Sequence, residues 1–142
     1  TSGKAFLSVN DGDKGQLVVL ARRLTKLGFD LIATYGSAAR LKEVGLNCEA
    51  VFKVNEGRPN IADYIKRGEI ALVINTPLGS VSHYDEKAIR QAALRYNVPC
   101  VTTMTGANAL VEAIAFIKEN NKITVRSLQE IHENKVSVAN EL

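Results

Sequence analysis

Residues 53–65 read KVNEGRPNIADYI, and they place a lysine, a glycine and an arginine where a strand gives way to a helix. The preceding short apolar run, residues 49–54, predicts a β-strand. Pro59 and Asn60 are typical of a helix start, where the free N–H groups of the first turn can bind an anion. In a parallel sheet such a junction lies on the ligand-binding edge. Taken alone, the stretch fits an anion-binding loop and an ordinary charged loop equally well.

The same alternation of strand-like and helix-like segments extends outward along the whole chain. Apolar runs predict five strands, over residues 4–9, 30–34, 49–54, 70–75 and 98–102. Helical spacing and helix-end residues predict helices over 17–27, 36–42, 61–66, 85–96 and 108–119, and residues 125–133 predict a short strand and a helical turn. The connections are too long for hairpins. The predicted fold class is therefore α/β, a three-layer, doubly wound, five-stranded parallel sheet.

The composition fits one globular domain. The chain has 142 residues, of which 46% are hydrophobic and 23% charged, with a net charge of +3 spread along its length. That spread, and the absence of Trp, argue against a nucleic-acid surface. There is no apolar run of membrane-spanning length and no visible signal peptide, so we expect no membrane partner and a cytoplasmic location.

The expected domain covers residues 4–133. Residues 1–3 look like a cloning remnant, and residues 134–142 are expected to form a frayed tail. Cys48 and Cys100 each adjoin an apolar strand and lack the spacing of metal ligands. We expect them to be buried thiols that form neither a metal site nor a disulfide.

Polar side chains follow each of the five predicted strands. In strand order they are Ser8, Asn10, Asp11 and Lys14; Thr34, Gly36 and Ser37; Lys53, Gly57 and Arg58; Asn75, Thr76 and Pro77; Thr102, Thr103 and Thr105. The carboxyl ends of parallel strands meet at one edge, so these groups are expected to share a crevice. Lys14, Lys53 and Arg58 would neutralise an anionic ligand there. The alternative is that the hydroxyl and amide groups only cap helices.

The residues favour binding over catalysis. His83 and His132 lie away from the predicted strand ends, and Asp11 and Asp13 fit turn and cap positions without a catalytic role. No nucleophile–base arrangement and no phosphate-binding Walker loop is visible. We therefore assign no catalytic residue and no metal ligand.

Four motifs carry a family resemblance. FLSVNDGDK at 6–14, TYGSA at 34–38, KVNEGRPNI at 53–61 and VINTP at 73–77, in this order, resemble the methylglyoxal-synthase-like domain that ends the carbamoyl-phosphate synthase large chain. The similarity spans about residues 4–133, including SLQEIHE at 127–133. It implies a regulatory domain that binds a nucleotide monophosphate such as UMP or IMP and abuts the carbamoyl-phosphate-forming domain, in arginine and pyrimidine biosynthesis.

The resemblance also implies roles for individual residues. Phosphate and ribose contacts would fall on Ser8, Lys14, Thr34, Gly36, Ser37, Lys53 and Asn75, followed by Thr76 and Pro77; Ile61, Asp85, Ala88 and Ile89 would line the base, and Thr102 would face ornithine. No catalysis and no cofactor is expected in the domain itself. The parent chain would be an ATP-dependent ligase that uses Mg or Mn and potassium, and its partners would be the remainder of the large chain and the glutaminase small subunit.

Other functions stay open on the sequence. Methylglyoxal synthase, a phosphate-eliminating lyase, has a histidine at the place of Asn10 and an aspartate where Arg58 or Asn60 stands here. Ser80 and Val81 replace arginines common in nucleotide-regulated members, and Pro77 replaces a second threonine. The cyclohydrolase domain of purine synthesis does not match the EGRPNI loop. A partner-docking module with a vestigial crevice is the third class.

Overall fold

The computed structural model describes residues 2–77, 83–120, 123 and 125–132. Five strands lie in these ranges: β1 Gly3–Ser8, β2 Phe29–Thr34, β3 Glu49–Val51, β4 Ile70–Asn75 and β5 Cys100–Val101. The helices are α1 Lys14–Lys26, α2 Tyr35–Glu43, α3 Ile61–Lys66, α4 His83–Arg95 and α5 Met104–Asn120, and a 3₁₀ turn, Asp11–Asp13, precedes α1. A further helical turn covers 128–132.

The strands form one parallel sheet in the order β3-β2-β1-β4-β5. The chain begins at the central strand, winds outward through β2 and β3, and then crosses to β4 and β5. Ser8 at the end of β1 lies opposite Asn75 at the end of β4. These two residues therefore flank the point where the strand order reverses, which is where open α/β sheets bind ligands. The predicted five-stranded parallel sheet is confirmed.

Helices cover both faces of the sheet and confirm the three layers. Side chains of β1 alternate between two apolar clusters, with Leu7 in one and Phe6 in the other. The first cluster packs α1, α2 and α5 against the sheet, and the second packs α3 and α4. Leu24 in α1 is fully buried. A side chain buried in this way contributes about 1.5–3 kcal/mol, so the two clusters supply the main stabilisation of the layers.

The loop that leads into α3 is held by local hydrogen bonds. The Asn60 side chain accepts from Ala62 N (3.0 Å), and the Asp63 carboxylate accepts from Asn60 N (2.9 Å). This capping box satisfies the first N–H groups of a six-residue helix that would be marginal alone. The preceding Arg58–Pro59 peptide bond is cis. The helix start predicted at Pro59 and Asn60 is confirmed.

Some boundaries differ from the predicted ones. β3 ends at Val51 instead of residue 54, because a turn begins at Lys53, whose carbonyl accepts from Glu56 N (3.1 Å). α5 begins at Met104, four residues before the predicted start at 108, because Thr103 Oγ1 accepts from Gly106 N (3.0 Å). Both differences arise from side-chain and turn contacts that apolar periodicity does not report.

The predicted strand near residue 125 is wrong, because residues 125–127 have no regular structure. The helical turn predicted there is confirmed: Ser127 Oγ accepts from Glu130 N (3.2 Å) and Glu130 Oε2 accepts from Ser127 N (2.6 Å). At the other end, β1 already includes Gly3. The predicted tail at 134–142 lies outside the described residues.

Cys48 and Cys100 lie on opposite faces of the sheet. Cys48 is buried in the cluster with α1, and Cys100 packs against the cluster with α3. Both are free thiols. Burial raises the pKa of Cys48 to about 11 and also raises that of Cys100. Among the described helices, none is long and apolar enough to cross a bilayer.

Candidate anion-binding site

The carboxyl ends of β1 and β2, together with the loop after β3, enclose a cavity of about 150 Å³. Five of the residues predicted as effector contacts line it: Lys14, Thr34, Gly36, Ser37 and Lys53. Val9, Asp11, Tyr35 and Glu56 complete the lining. Residues from three separate loops therefore meet at one cavity, as the strand-end pattern in the sequence predicts. We call this cavity the strand-end cavity.

The floor of the strand-end cavity is formed by hydroxyl groups at the start of α2. Ser37 is buried and its Oγ accepts from Val9 N (3.4 Å) and from Thr34 Oγ1 (3.5 Å). Thr34 is the N-cap residue of α2, yet its side chain makes no capping hydrogen bond there. The first N–H groups of α2 are thus left for an anion, and the helix dipole adds to their attraction.

The side chain of Lys14 and the backbone of Lys53 each contact a carboxylate. Lys14 Nζ forms an ion pair with Asp11 and lies 3.6 Å from where a Cβ on Gly36 would be. Hydrogen bonding and charge from Lys14, and more weakly the charge of Lys53, lower the pKa of Asp11. Glu56 Oε2 accepts from Lys53 N (2.9 Å). An incoming anion would therefore compete with Asp11 for Lys14.

A second polar group lies beside the cavity, at the ends of β1 and β4. Thr76 N donates to Ser8 O (2.9 Å), and Asn10 N donates to Thr76 Oγ1 (3.1 Å). Asn10 Nδ2 donates to Asp13 Oδ2 (2.7 Å) and to Pro77 O (3.2 Å). Asn10 therefore fastens the first loop to the fourth.

Asn75 differs from the polar residues around it. Asn75 is 3% exposed, and its side-chain Nδ2 has no hydrogen-bond partner among the described residues. A buried amide donor left unpaired costs about 1–3 kcal/mol. Unpaired groups of this kind are rare in folded proteins and occur where a ligand or water completes the site. Asn75 lies opposite Ser8 across the strand-order reversal, where a ligand is expected.

The predicted base-lining residues are placed less favourably. Ile61 and Ile89 are 0% and 1% exposed and belong to the apolar cluster beneath α3 and α4. Asp85 accepts from Asn55 N (3.0 Å), and Ala88 is half-buried. Neighbouring side chains cover the two isoleucines, and their contact with a base stays a prediction.

Two further predicted contacts lie apart from the cavity. Thr102 follows β5, three strand positions from β2, which corresponds to roughly 14 Å across the sheet. Arg58 has an 83% exposed side chain and its nearest acidic partner is Asp63, at 3.9 Å. Arg58 therefore does not join the lysines. Ser80 and Val81 lie outside the described residues.

Sequence reasoning missed the roles of Tyr35 and Glu56. Tyr35 stands between two predicted contacts, but an exposed tyrosine gives no signal by itself. Glu56 follows Lys53 by three residues, a spacing that is typical of a turn, and this could have indicated its hydrogen bond. Among the described residues, no three His, Cys, Asp or Glu side chains are grouped as a metal site requires.

A larger cavity of about 440 Å³ opens at the amino ends of the strands. Its cation, Lys4, is already bound to Glu49 (3.0 Å), and Glu49 also accepts from Tyr64 Oη (3.0 Å). The strand-end cavity is better suited to an anion, because besides its ion-paired Lys14 it offers Lys53 and the uncapped start of α2.

Comparison with known proteins supports the same reading of the chain. A family model described as the MGS-like domain matches residues 16–102. The chain belongs to this family. The match includes β2, β3 and β4 and all the residues that line the strand-end cavity except Val9, Asp11 and Lys14.

Curated relatives of this MGS-like domain include carbamoyl phosphate synthase large chains. The chain is 51% identical over 132 residues to the C-terminal section of that large chain from Methanopyrus kandleri, covering 92% of this chain and 24% of that protein. It is 48% identical over 132 residues to the large chain of Acidobacterium capsulatum, covering 93% of this chain and 12% of that protein. The chain thus spans a quarter or less of these relatives.

Solved structures show the same fold. Methylglyoxal synthase from Elizabethkingia anophelis superposes with a TM-score of 0.65 at 20% identity, covering 78% of this chain and 77% of that chain. ForH superposes with a TM-score of 0.56 at 17% identity, covering 87% and 83%. At these identities the likeness establishes the fold alone.

Proposed function

We propose that this MGS-like domain is the regulatory domain of a carbamoyl-phosphate synthase large chain and that it binds a nucleoside monophosphate effector, UMP or IMP. The observation that carries the proposal is the strand-end cavity, where Lys14, Lys53 and the N-terminus of α2 converge. Identities of 48–51% to large-chain sequences support the parent enzyme. The domain would act in the cytoplasm, in arginine and pyrimidine biosynthesis.

The phosphate is proposed to lie between the two lysines and the first N–H groups of α2. Hydrogen bonds to charged groups contribute about 1.5–3 kcal/mol each, enough to compensate for release of Lys14 from Asp11. The ribose would then extend toward Ser8 and Asn75, and the unpaired Asn75 Nδ2 would donate to a sugar hydroxyl. Thr76 and Pro77 hold the neighbouring loop through Asn10.

Regulation would follow from different affinities of the effector for two states of the parent enzyme. Such coupling is typically about 1–3 kcal/mol. The partners would be the remainder of the large chain, which carries ATP, Mg or Mn and potassium, and the glutaminase small subunit. Thr102, at the far end of the sheet, would face ornithine at the boundary with the carbamoyl-phosphate-forming domain.

A regulatory role is favoured over a lyase by the residues near the cavity. Asn10 donates its amide hydrogens to Asp13 and Pro77, and Asp11 is ion-paired with Lys14. Proton abstraction from dihydroxyacetone phosphate needs a base whose pKa suits the operating pH. The pKa of Asp11 is lowered by Lys14, which makes it a weaker base.

The test is isothermal titration calorimetry of the domain with UMP and with IMP. Lys53→Ala is expected to weaken binding by about 1.5–3 kcal/mol, which is about 10- to 150-fold. Lys66→Ala is the matched control, because Lys66 lies in the last turn of α3 at the opposite edge of the sheet and does not line the strand-end cavity. It should bind like the wild type.

Three results would contradict the proposal. Equal affinities of the Lys53→Ala variant and the wild type would remove Lys53 from the site. Formation of methylglyoxal from dihydroxyacetone phosphate above background would show a lyase instead of a regulatory domain. A domain that binds no phosphate compound in a thermal-shift screen would be a docking module, since a ligand at 100 times its dissociation constant adds about 2.7 kcal/mol to stability.

A further inference from the structure

Arg58, in the loop between β3 and α3, takes no part in the strand-end cavity. Lys53 and Glu56 of the same loop line that cavity, whereas the Arg58 side chain lies outside it and is 83% exposed. Arg58 Nη1 lies 3.9 Å from Asp63 Oδ1, which is too far for a hydrogen bond. The other oxygen, Asp63 Oδ2, already accepts from Asn60 N (2.9 Å). Within the described residues, the guanidinium therefore makes only a loose ion pair.

The backbone around Arg58 is held in place by contacts on both sides. Asn60 Nδ2 donates to Gly57 O (3.1 Å), which closes the backbone around Arg58. The Phe52 carbonyl accepts from Ile61 N (3.1 Å), and this joins the two ends of the loop. A Cβ on Gly57 would lie 3.4–3.6 Å from three atoms of the Phe52 ring, so the loop packs against that ring. Arg58 is thus an exposed side chain on a fixed backbone.

The same loop is joined directly to the proposed phosphate site. Lys53 O accepts from Glu56 N (3.1 Å), and Lys53 N donates to Glu56 Oε2 (2.9 Å). Both residues line the strand-end cavity. Because two hydrogen bonds close this turn, a displacement of Lys53 toward a bound phosphate carries the following residues, including Arg58, with it.

A fixed and exposed guanidinium suits a carboxylate from another part of the protein. Arginine keeps its charge at every relevant pH, and its paired N–H groups match the two oxygens of a carboxylate. A fixed backbone also lowers the conformational entropy that such a contact loses. This chain covers 24% and 12% of two large-chain relatives, so three quarters or more of each lies outside the domain. Arg58 follows β3 and Thr102 follows β5, so both lie along the carboxyl edge of the sheet, where the proposed domain boundary runs.

We propose that Arg58 forms an ion pair with a carboxylate on the remainder of the large chain, and that this contact transmits occupancy of the strand-end cavity to the parent enzyme. The contact rests on the proposed function and adds the route by which the effector acts. Phosphate bound at Lys53 displaces the loop and changes the strength of the Arg58 ion pair. Arg58 is therefore a positioning residue, which touches the partner surface and not the effector. By linkage, the same factor appears in the affinity of the parent enzyme for ATP.

The test measures effector affinity in two forms of the protein. In the isolated domain, Arg58→Ala should bind UMP and IMP within about 2-fold of the wild type, because Arg58 does not line the cavity. In the complete enzyme, calorimetry with and without a saturating, non-hydrolysable ATP analogue gives the coupling factor, for which about 5- to 150-fold is typical. Arg58→Ala should reduce this factor to about 2-fold or less, with whichever of UMP and IMP the domain binds.

Two further variants separate the proposed contact from a general loss of charge. Arg40→Ala removes another exposed arginine, which already pairs with Glu43 (3.1 Å) inside α2, and it should keep the wild-type coupling factor. Arg58→Lys keeps the positive charge and introduces an amine that a carbodiimide can join to a carboxylate in contact with it. In the complete enzyme, this amine should be cross-linked to a carboxylate outside residues 1–142, and mass spectrometry of the joined peptides identifies that residue.

The outcomes distinguish the Arg58 contact from the proposed function. The contact is overturned if Arg58→Ala weakens the effector in the isolated domain as much as Lys53→Ala does, because Arg58 would then belong to the effector site. It is also overturned if the coupling factor of Arg58→Ala equals that of the wild type, or if the amine of Arg58→Lys forms no cross-link beyond residues 1–142. In these cases the effector still binds and the proposed function stands. If the wild type binds neither UMP nor IMP, or binds without coupling to ATP, the proposed function fails and the contact fails with it.

Discussion

Replacing Asn75 by valine is expected to stabilise the free domain and at the same time weaken ligand binding. Asn75 is 3% exposed at the end of β4, and its Nδ2 has no partner among the described residues. A buried donor without a partner destabilises the fold by about 1–3 kcal/mol, and Asn75→Val removes that donor. Valine is also favoured over asparagine in strands, within a scale of about 1 kcal/mol.

The expected net gain is about 1 kcal/mol, because the variant also loses any hydrogen bond made by Asn75 Oδ1, worth about 0.5–1.5 kcal/mol. For a chain of 142 residues this raises Tm by about 4 °C. Affinity for UMP or IMP should fall by about 5- to 100-fold, since a ligand hydroxyl would lose its donor and face methyl groups. Opposite signs for stability and binding identify a residue kept for a ligand.

Asn60 provides the matched control. It is buried to almost the same degree, at 4% exposed, but its amide is satisfied: Oδ1 accepts from Ala62 N (3.0 Å) and Nδ2 donates to Gly57 O (3.1 Å). Asn60→Val should therefore destabilise the domain by about 2 kcal/mol or more, through loss of the N-cap and of a buried hydrogen bond.

Urea unfolding of both variants, extrapolated to water, gives the free energies of unfolding, and calorimetry gives the affinities. The reasoning is refuted if Asn75→Val destabilises the domain by more than about 1 kcal/mol, as a satisfied amide would. It is also refuted if the variant is stabilised but binds the effector as tightly as the wild type, because the unpaired donor would then have no ligand.

Three further outcomes test the electrostatics. Asp11→Asn should raise phosphate affinity about 2- to 5-fold by calorimetry, since it removes the anion that competes for Lys14. A decrease in affinity would show that Asp11 takes part in binding the phosphate. Lys4 lowers the pKa of Glu49, so this ion pair should stabilise the domain fully above pH 4.5. The stabilisation should be lost as the pH falls through the lowered pKa of Glu49. The difference in unfolding free energy between wild type and Glu49→Gln, at most about 1 kcal/mol for this partly exposed pair, should vanish at low pH; a constant difference would contradict it. Cys48, whose pKa burial raises to about 11, should be alkylated at pH 8 about 100-fold or more slowly than a model thiol, and rapid labelling of the native domain would show local opening.

Much of the candidate site could be predicted from local sequence. Lys14, Ser37 and Lys53 each lie within six residues after a strand, and the parallel topology alone brings such positions to one edge. The same logic does not bring Thr102 to the strand-end cavity, because residue types do not state how far apart two strands lie in the sheet. β5 is at the edge and β2 is on the other side of β1, so only the strand order separates them.

Burial of individual side chains could not be predicted in this way. Ile61 and Ile89 were expected beside a ligand and both lie in the apolar cluster under α3 and α4, so their contact with a base stays a prediction. Arg58 was expected beside the lysines, but its side chain extends into solvent near Asp63. Side-chain direction at a loop or helix start depends on the packing of whole elements, which local residue types do not specify.

The sequence by itself determined the parallel α/β fold and the lysine- and hydroxyl-bearing loops, because the spacing of apolar residues and the helix-start signals act locally. The tertiary structure decided which of these loops meet and which amide is satisfied. Asn60 and Asn75 are both buried asparagines, yet one caps a helix and the other has an unpaired Nδ2. Asn60 is bonded to its neighbours in the chain, Gly57 and Ala62, whereas Asn75 lies beside Ser8 of a strand far away in the sequence, so its surroundings exist only when the sheet has formed.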